Sequence, residues 1–168
     1  LLEKTVEVAI AFAVAQVEAG ATIIGLGDAI ASQVGPAAYR RFALPYEQRI
    51  FEAIRKAGAI PRLHICGNTS RMVADMAQSG AQIIDLDWQV DLAAARATVD
   101  AIDPTIALCG NFDPVAVLYE GTPDDVRRAV EACRAAGGDN WLAMPGCEVP
   151  RGTRAENVLA MRDALVVA

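Results

Sequence analysis

The sequence predicts an α/β fold of about five βα units that form part of a (β/α)8 TIM barrel. Short β-rich runs alternate with amphipathic stretches that mostly end at glycine, which is typical of a parallel sheet covered by helices. The segment Gly-Leu-Gly-Asp after the first run departs from the Gly-x-Gly-x-x-Gly pattern of doubly wound nucleotide-binding sheets. Five strands do not close a barrel of eight, so we expect roughly its first three units to be absent. Residues 1–168 are expected to form a single partial barrel domain.

Each strand and helix is predicted from its own pattern. Runs rich in β-branched and other apolar residues predict five strands, in chain order at residues 21–26, 59–65, 81–86, 105–109 and 140–144. Amphipathic periodicity predicts six helices, at residues 5–19, 46–57, 71–79, 91–102, 123–136 and 154–167. Four of these helices end at a glycine, which readily adopts the conformation of a helix end: Gly20, Gly58, Gly80 and Gly137.

Two segments carry a sequence signature for a helix start. Thr122 is the expected N-cap of the helix at 123–136, Pro123 occupies its first position, and Asp125 completes a pair that resembles a capping box. Asp113 is likewise an expected N-cap, with Pro114 as the first helical residue. These signals predict where the chain turns from loop into helix.

Composition excludes several classes of function. Hydrophobic residues make up 54% of the 168 residues, so the chain can bury a core. The longest apolar run, residues 8–15, is far shorter than the roughly 18 residues of a membrane span, and no signal segment is visible. A net charge of −6 with scattered basic residues argues against a nucleic-acid partner. The four cysteines are interpreted as thiols or ligands in a reducing compartment, for which we expect the cytoplasm.

Polar side chains follow every predicted strand. In parallel βα folds the chemistry gathers where strands end, on the C-terminal rim of the sheet. The rim residues, in chain order, are Asp28, His64, Cys66, Asp85, Asp87, Asn111, Asp113, Cys147 and Glu148. We therefore expect the functional site at this rim.

A zinc site is the sharpest hypothesis for these residues. His64 and Cys66 are two positions apart at a strand end, so both side chains can point the same way and grip one cation. Catalytic zinc sites keep three protein ligands and one open position, and Cys147, in a tight Pro-Gly-Cys loop, is the natural third ligand. Cys133 falls inside a predicted helix and Cys109 inside a strand, so both are interpreted as small core residues.

Simpler interpretations stay open for each feature. A lone His-x-Cys pair is more simply a rim histidine beside a buried thiol, and the addition of Cys147 reverses that preference. Asp85 and Asp87 are equally interpreted as helix caps or as acceptors for a loop backbone. Asn111 is equally interpreted as a residue that only shapes the turn ahead of Asp113.

Four stretches of the sequence resemble a known family. They are LHICGNT, IIDLDWQVDL, LCGNFDPVAVLYEGTPDDVRRAV and MPGCEVPRGTRAENVLAM. They are similar to the C-terminal half of the uroporphyrinogen decarboxylase superfamily and, within it, to the zinc-dependent, cobamide-dependent methyltransferase branch of the methylcobalamin:coenzyme M type. The resemblance implies a (β/α)8 barrel of the uroporphyrinogen decarboxylase type and a zinc motif that carries over to His64, Cys66 and Cys147. Decarboxylases of the superfamily share the Gly-Asn-Xaa-Asp-Pro turn, here at residues 110–114, but not the thiol ligands.

The resemblance implies transfer of a methyl group between a corrinoid, such as methylcobalamin, and a thiol or related acceptor. Zinc would hold the substrate thiol as a thiolate. Asp87 or Asp85 is expected to accept the other ring N–H of His64, while Asp28 and Asn111 are expected to line the substrate end. Asp87, Asp28 and Asn111 are thus the expected catalytic residues. The chain contains no Asp-x-His-x-x-Gly corrinoid motif, so a partner corrinoid protein that docks on the rim is implied. The direction of transfer, and hence whether a small-molecule thiol or a methyl donor is the substrate, stays open.

Two alternatives from other classes remain. A decarboxylase of the porphyrinogen type would need no metal and would tolerate Cys66→Ser. A non-catalytic half-barrel subunit would depend on the missing barrel half, or on a second copy of the chain, because open sheet edges invite pairing.

Overall fold

The computed structural model describes residues 1–166, which form a parallel sheet with helices packed on one side of it. The strands are β1 (Ile23–Gly27), β2 (Ile60–Ile65), β3 (Ile83–Leu86), β4 (Ala107–Cys109) and β5 (Trp141–Leu142). The α-helices are α1 (Leu2–Glu18), α2 (Ala31–Phe42), α3 (Leu44–Lys56), α4 (Val73–Met76), α5 (Leu92–Asp100), α6 (Pro123–Gly137) and α7 (Ala155–Asp163). A π-helix spans Pro114–Tyr119.

The strand order is the feature that distinguishes a barrel from a doubly wound sheet. Each strand pairs in parallel with its neighbour in sequence, in the order β1-β2-β3-β4-β5. A doubly wound sheet would reverse its order at a switch point, whereas an arc of a (β/α)8 barrel does not. The predicted five parallel strands and the barrel-type order are therefore confirmed.

The pairing register places one row of residues across the whole sheet. Gly27 pairs with His64, His64 with Asp85, Asp85 with Cys109, and Cys109 with Leu142. Residues in one row of a parallel sheet point to the same face. The row therefore brings a histidine, a carboxylate and a thiol to the concave face of the arc near its C-terminal rim.

The core lies on the opposite face of the sheet, against the helices. Along β2, Pro61, Leu63 and Ile65 are buried and alternate with partly exposed residues. Leu63 and Ile65 are fully buried against the helical layer, as are Phe51 and Ile54 of α3. Each such side chain contributes about 1.5 to 3 kcal/mol by its removal from water. This packing fixes β2, and with it the position of the residues that follow it.

Helix α2, which lies between β1 and α3, was not predicted from the sequence. Its sequence contains Gly35 and Pro36, which disfavour a helix interior, and Gly35 has a φ of 76°, so two short helical stretches meet at a kink. Buried contacts of Ala31 and Tyr39 with the rest of the chain hold the segment. Tertiary packing therefore overrides the local signal there.

Several predicted boundaries were wrong by a few residues. The helix predicted at 71–79 contracts to α4, because turns occupy both of its ends. The strand predicted at 140–144 contracts to β5, and β4 begins at Ala107 rather than at residue 105. The last helix ends at Asp163 within the described residues, and the predicted end at residue 167 lies outside them.

The predicted helix starts are confirmed. Thr122 and Asp125 form a reciprocal capping box at the start of α6, with Pro123 at the first position. Asp113 caps the π-helix by accepting from the backbone N–H groups of Val115 and Ala116. None of the helices described within residues 1–166 combines the length and the apolar character that a bilayer crossing requires.

Candidate metal centre

The structure brings His64, Cys66 and Cys147 together. His64 is the last residue of β2 on the concave face, Cys66 follows the strand directly, and Cys147 arrives on the loop after β5. The Cys66 sulfur lies 3.3 Å from His64 Nε2 and 3.8 Å from the Cys147 sulfur. The Cys147 sulfur lies 3.9 Å from His64 Nε2, and all three side chains are half-buried. Three soft or borderline donor atoms therefore face one point.

These separations match the ligand set of a zinc ion. Zinc binds thiolate at about 2.3 Å and imidazole at about 2.0 Å, so tetrahedral ligands of these types lie about 3.5 to 3.8 Å from one another. The three observed separations, 3.3, 3.8 and 3.9 Å, fall around that range. Two thiols and one imidazole leave the fourth position to another ligand. The residues present fit zinc in a catalytic type of site.

Asp85 determines which nitrogen of His64 is available to a metal. His64 Nδ1 lies 3.2 Å from the backbone carbonyl oxygen of Asp85 and 3.3 Å from its carboxylate Oδ2. Two acceptors at Nδ1 place the ring proton there and leave the lone pair of Nε2 facing the two sulfurs. Of the two candidate partners of His64, Asp85 and Asp87, the structure places Asp85 beside it.

The electrostatic surroundings favour bound protons when no cation is present. A hydrogen bond with the Asp85 carboxylate is the main cause that raises the pKa of His64 to about 9, although burial acts in the opposite direction. Burial is the main cause that raises the pKa of the Cys66 thiol, and the adjacent Cys147 adds to it. A metal ion would have to displace these protons, so its binding would release protons to solution.

Asp87 ties two rim loops together. Its buried carboxylate accepts the backbone N–H of Gly67 at 2.8 Å and that of Gln89 at 3.0 Å. Gly67 directly follows Cys66, so this contact positions the loop that carries one of the three donors. Asp87 was expected to act in catalysis, and in the structure its visible role is to hold this loop.

Asn111 and Asp28 lie at the rim but do not join the three donors. Asn111 is buried, and its amide nitrogen donates to the backbone carbonyls of Asp87 and Val90 at 3.0 and 2.6 Å. The backbone N–H of Asp28 donates to the carbonyl of His64 at 2.9 Å. The Asp28 carboxyl lines a separate cavity of about 390 Å³ between the helices, beside the Glu47 carboxyl. Contacts of Asn111 and Asp28 with substrate are predictions that the geometry leaves open.

A cavity of about 280 Å³ lies directly beside His64 and Cys147 on the concave face. Gly25 and Gly27 of β1 pair with Arg62 and His64 of β2, and neither glycine has a side chain to fill the space. The cavity is therefore open next to the donor cluster. It has room for a small molecule beside the three donors.

The loop that carries Cys147 packs closely on the loop after β3. A Cβ built on Gly146 would lie 2.2 Å from the backbone nitrogen of Trp88, which no side chain permits. The Gly146 N–H donates to the carbonyl of Phe112 at 2.8 Å, and Phe112 forms a bridge with Pro145. These contacts fix Cys147 next to the end of β2.

The pattern of rim residues in the sequence missed Arg62, which donates to the Asp85 carboxylate from the same strand face as His64. The signal was available, because residues two apart on a strand share a face. It also missed the buried Glu47, whose partner Tyr39 lies in the unpredicted helix α2.

Comparisons with known proteins identify the family of the chain. A family model described as uroporphyrinogen decarboxylase (URO-D) matches residues 1–166. The chain is 36% identical over 163 residues to the methylcobamide:CoM methyltransferase MtbA of Methanosarcina mazei. The matched region covers 96% of this chain and 46% of that protein. It is 40% identical over 132 residues to the uroporphyrinogen decarboxylase of Nocardia farcinica. That matched region covers 79% of this chain and 34% of that protein.

A solved structure described as a methyltransferase from Methanosarcina mazei superposes with a TM-score of 0.85 at 28% identity, over 95% of this chain and 46% of that chain. The chain therefore spans less than half the length of these relatives. The expected α/β fold, a partial (β/α)8 barrel, is confirmed. The chain belongs to the uroporphyrinogen decarboxylase family and corresponds to the C-terminal half of its members.

Proposed function

We propose that this chain carries the zinc site of a methyltransferase that moves a methyl group between a corrinoid and a thiol or related acceptor. The observation that carries the proposal is the convergence of His64 Nε2 with the sulfurs of Cys66 and Cys147 within 4.8 Å. The similarity to a methylcobamide:CoM methyltransferase over 96% of the chain supports it. The thiol pair supports this branch over the decarboxylases, for which the resemblance implies no thiol ligands.

His64, Cys66 and Cys147 would hold the zinc ion. When bound, zinc would keep an acceptor thiol in its thiolate form near neutral pH and so supply the nucleophile for methyl transfer. The chain's own residues prepare for this. Asp85 orients the imidazole through Nδ1, and Asp87 fixes the loop of Cys66. The adjacent cavity offers space for the acceptor next to the sulfurs.

The remainder of the catalytic apparatus is also part of the proposal. We infer one partial barrel domain for the whole chain, residues 1–168. The outer edges of β1 and β5 have no strand paired to them within the described residues. The rest of the barrel completes the wall around the cavity. A corrinoid-carrying protein docks on the C-terminal rim and presents the methyl group there. Asp28 and Asn111 help to shape the substrate end of that rim.

Metal content is the first test. Protein purified under reducing conditions is expected to contain about one zinc ion per chain, and Cys147→Ser is expected to lose it. Cys133→Ser is the matched control, because that thiol lies in α6 and is absent from the donor cluster. Zinc-loaded protein, completed with the remainder of its barrel, is then assayed with methylcobalamin and small thiols for loss of the methylcobalamin absorbance.

Absence of zinc in folded, reconstituted wild-type protein would contradict the proposal. A decarboxylase without metal is then the better candidate, because the relative from Nocardia farcinica is 40% identical. That alternative predicts that Cys66→Ser retains full activity on a porphyrinogen carboxylate.

A further inference from the structure

Arg62 lies two residues before His64 on β2 and shares its face of the sheet. The strand alternates between buried residues that face the helices and half-buried residues that face the cavity, and Arg62 and His64 belong to the second set. The β3 register places Asp85 directly opposite His64. The Asp85 side chain therefore lies between the guanidinium group and the imidazole ring.

One oxygen of the Asp85 carboxylate, Oδ2, lies close to both Arg62 and His64. Arg62 donates from Nε to Asp85 Oδ2 at 3.1 Å and also donates from Nη2 to the same oxygen. That oxygen lies 3.3 Å from His64 Nδ1. The Asp85 side chain is 6% exposed, so the loss of a partner would leave a poorly solvated carboxylate. Both guanidinium donors meet the same oxygen, so they hold Oδ2 in place, whereas the buried Oδ1 has no hydrogen-bond partner among the described residues.

We propose that Arg62 is a positioning residue, which holds Asp85 against His64 and thereby keeps His64 Nε2 directed at Cys66 and Cys147. The inference rests on the proposed metal role of these three residues. It adds to the three donors a series of contacts that runs from Arg62 to Asp85 and from Asp85 to His64.

Arg62 also balances part of the negative charge around the cavity. The carboxyl groups of Asp85 and Asp87 are buried near the three donors, and Glu148 also lines the cavity. Among the described residues that line the cavity, Arg62 is the side chain with a permanent positive charge. Without it, the buried Asp85 carboxylate would lose its guanidinium partner, and nothing within residues 1–166 on that side would oppose its rotation away from His64.

The test compares Arg62→Met, Arg62→Lys and wild type by two measurements of the metal site. Zinc affinity is measured by competition with a chromophoric chelator, and cobalt(II)-loaded protein is examined by visible absorption. Loss of an outer partner of a metal-bound histidine lowers metal affinity by about 10 to 100-fold. Arg62→Met is expected to weaken zinc binding by about tenfold and to shift the cobalt bands, and Arg62→Lys, which keeps the charge, to lie between it and wild type.

Arg128→Met is the matched control, because Arg128 pairs with Asp125 on the surface of α6, on a different element from the three donors. Thermal unfolding of the metal-free variants separates stability from metal binding. An Arg62→Met protein that is folded and binds zinc and cobalt as wild type does would overturn the inference, even if its unfolding temperature is lower. Should this variant fail to fold, the same two readouts on Arg62→Gln decide the question in the same way. Wild-type protein that binds no metal would overturn the proposed function and this inference together.

Discussion

The hydroxyl of Tyr39 donates a hydrogen bond of 2.5 Å to Oε2 of Glu47, inside the layer of helices. Both residues are buried: Tyr39 has no exposed surface, and Glu47 is 3% exposed. The other oxygen of Glu47, Oε1, is buried with no hydrogen-bond partner among the described residues. The pair therefore joins α2 to α3 while it leaves a carboxyl group that is poorly compensated when it is ionised.

This arrangement makes stability depend on pH. Burial is the main cause that raises the pKa of Glu47 from 4.5 to about 7, and the nearby Asp28 carboxyl adds to the effect. The folded protein thus holds the proton more tightly than the unfolded chain. The contribution of Glu47 to the free energy of unfolding is fully present below about pH 4.5 and is lost as the pH rises to about 7. Above that pH this contribution stays constant.

Glu47→Gln is expected to remove this pH dependence. Relative to wild type, its free energy of unfolding is expected to rise by roughly 3 kcal/mol between pH 5 and pH 8, from the linkage of one pKa unit to about 1.4 kcal/mol. Urea unfolding at several pH values measures the change. Glu52→Gln is the control, because Glu52 is exposed and pairs with Lys56. A difference between Glu47→Gln and wild type that stays constant with pH would show that Glu47 ionises normally.

Gly146→Ala is expected to displace the loop that carries Cys147. The added methyl carbon would lie 2.2 Å from the backbone of Trp88, so the loop must move. We expect a loss of zinc affinity of at least tenfold, since a donor moved by an ångström no longer meets the metal with its partners. Gly25→Ala serves for comparison, because a Cβ there meets nothing within 4 Å. Equal zinc affinities in the two variants would mean that the loop accommodates the methyl group.

Asp87→Asn is expected to loosen the loop after β2. The carboxylate accepts two backbone N–H groups, and an amide in its place offers one acceptor oxygen and a donor that opposes the second N–H. The expected loss is about 1 to 3 kcal/mol in the free energy of unfolding. Hydrogen exchange at Gly67 would report the local effect. Asp113→Asn is the control, because asparagine caps a helix as well as aspartate does, and it should leave the free energy of unfolding nearly unchanged. Unchanged hydrogen exchange at Gly67 in Asp87→Asn would refute the expectation.

Thr122→Ala is expected to weaken the start of α6 without any effect on the metal site. Thr122 accepts the N–H of Asp125, whose carboxylate accepts the N–H of Thr122 in return at 2.8 Å. Loss of such a cap destabilises a protein by about 1 kcal/mol. Chemical denaturation gives this value, and zinc content gives the second readout. A variant that loses zinc would show that α6 is coupled to the donor cluster more closely than the contacts indicate.

The sequence predicted the features that depend on local patterns. Alternating strands and helices, the glycines that end helices and the capping box at Thr122 follow from the conformational preferences of a few adjacent residues. The donors His64, Cys66 and Cys147 could also be predicted, because strand ends in parallel βα folds meet at one rim. The structure brings the side chains of these three residues together.

Only the tertiary structure decided which neighbour each rim residue meets. The sequence left Asp85 and Asp87 as equal partners for His64, and strand register selected Asp85. Helix α2 could not be predicted, because Gly35 and Pro36 oppose a helix that packing nevertheless stabilises. The hydrogen bond between Tyr39 and Glu47 therefore could not be predicted either. Local sequence determines backbone preference and side-chain face, whereas contacts across strands and between helices depend on register and packing, which are properties of the whole fold.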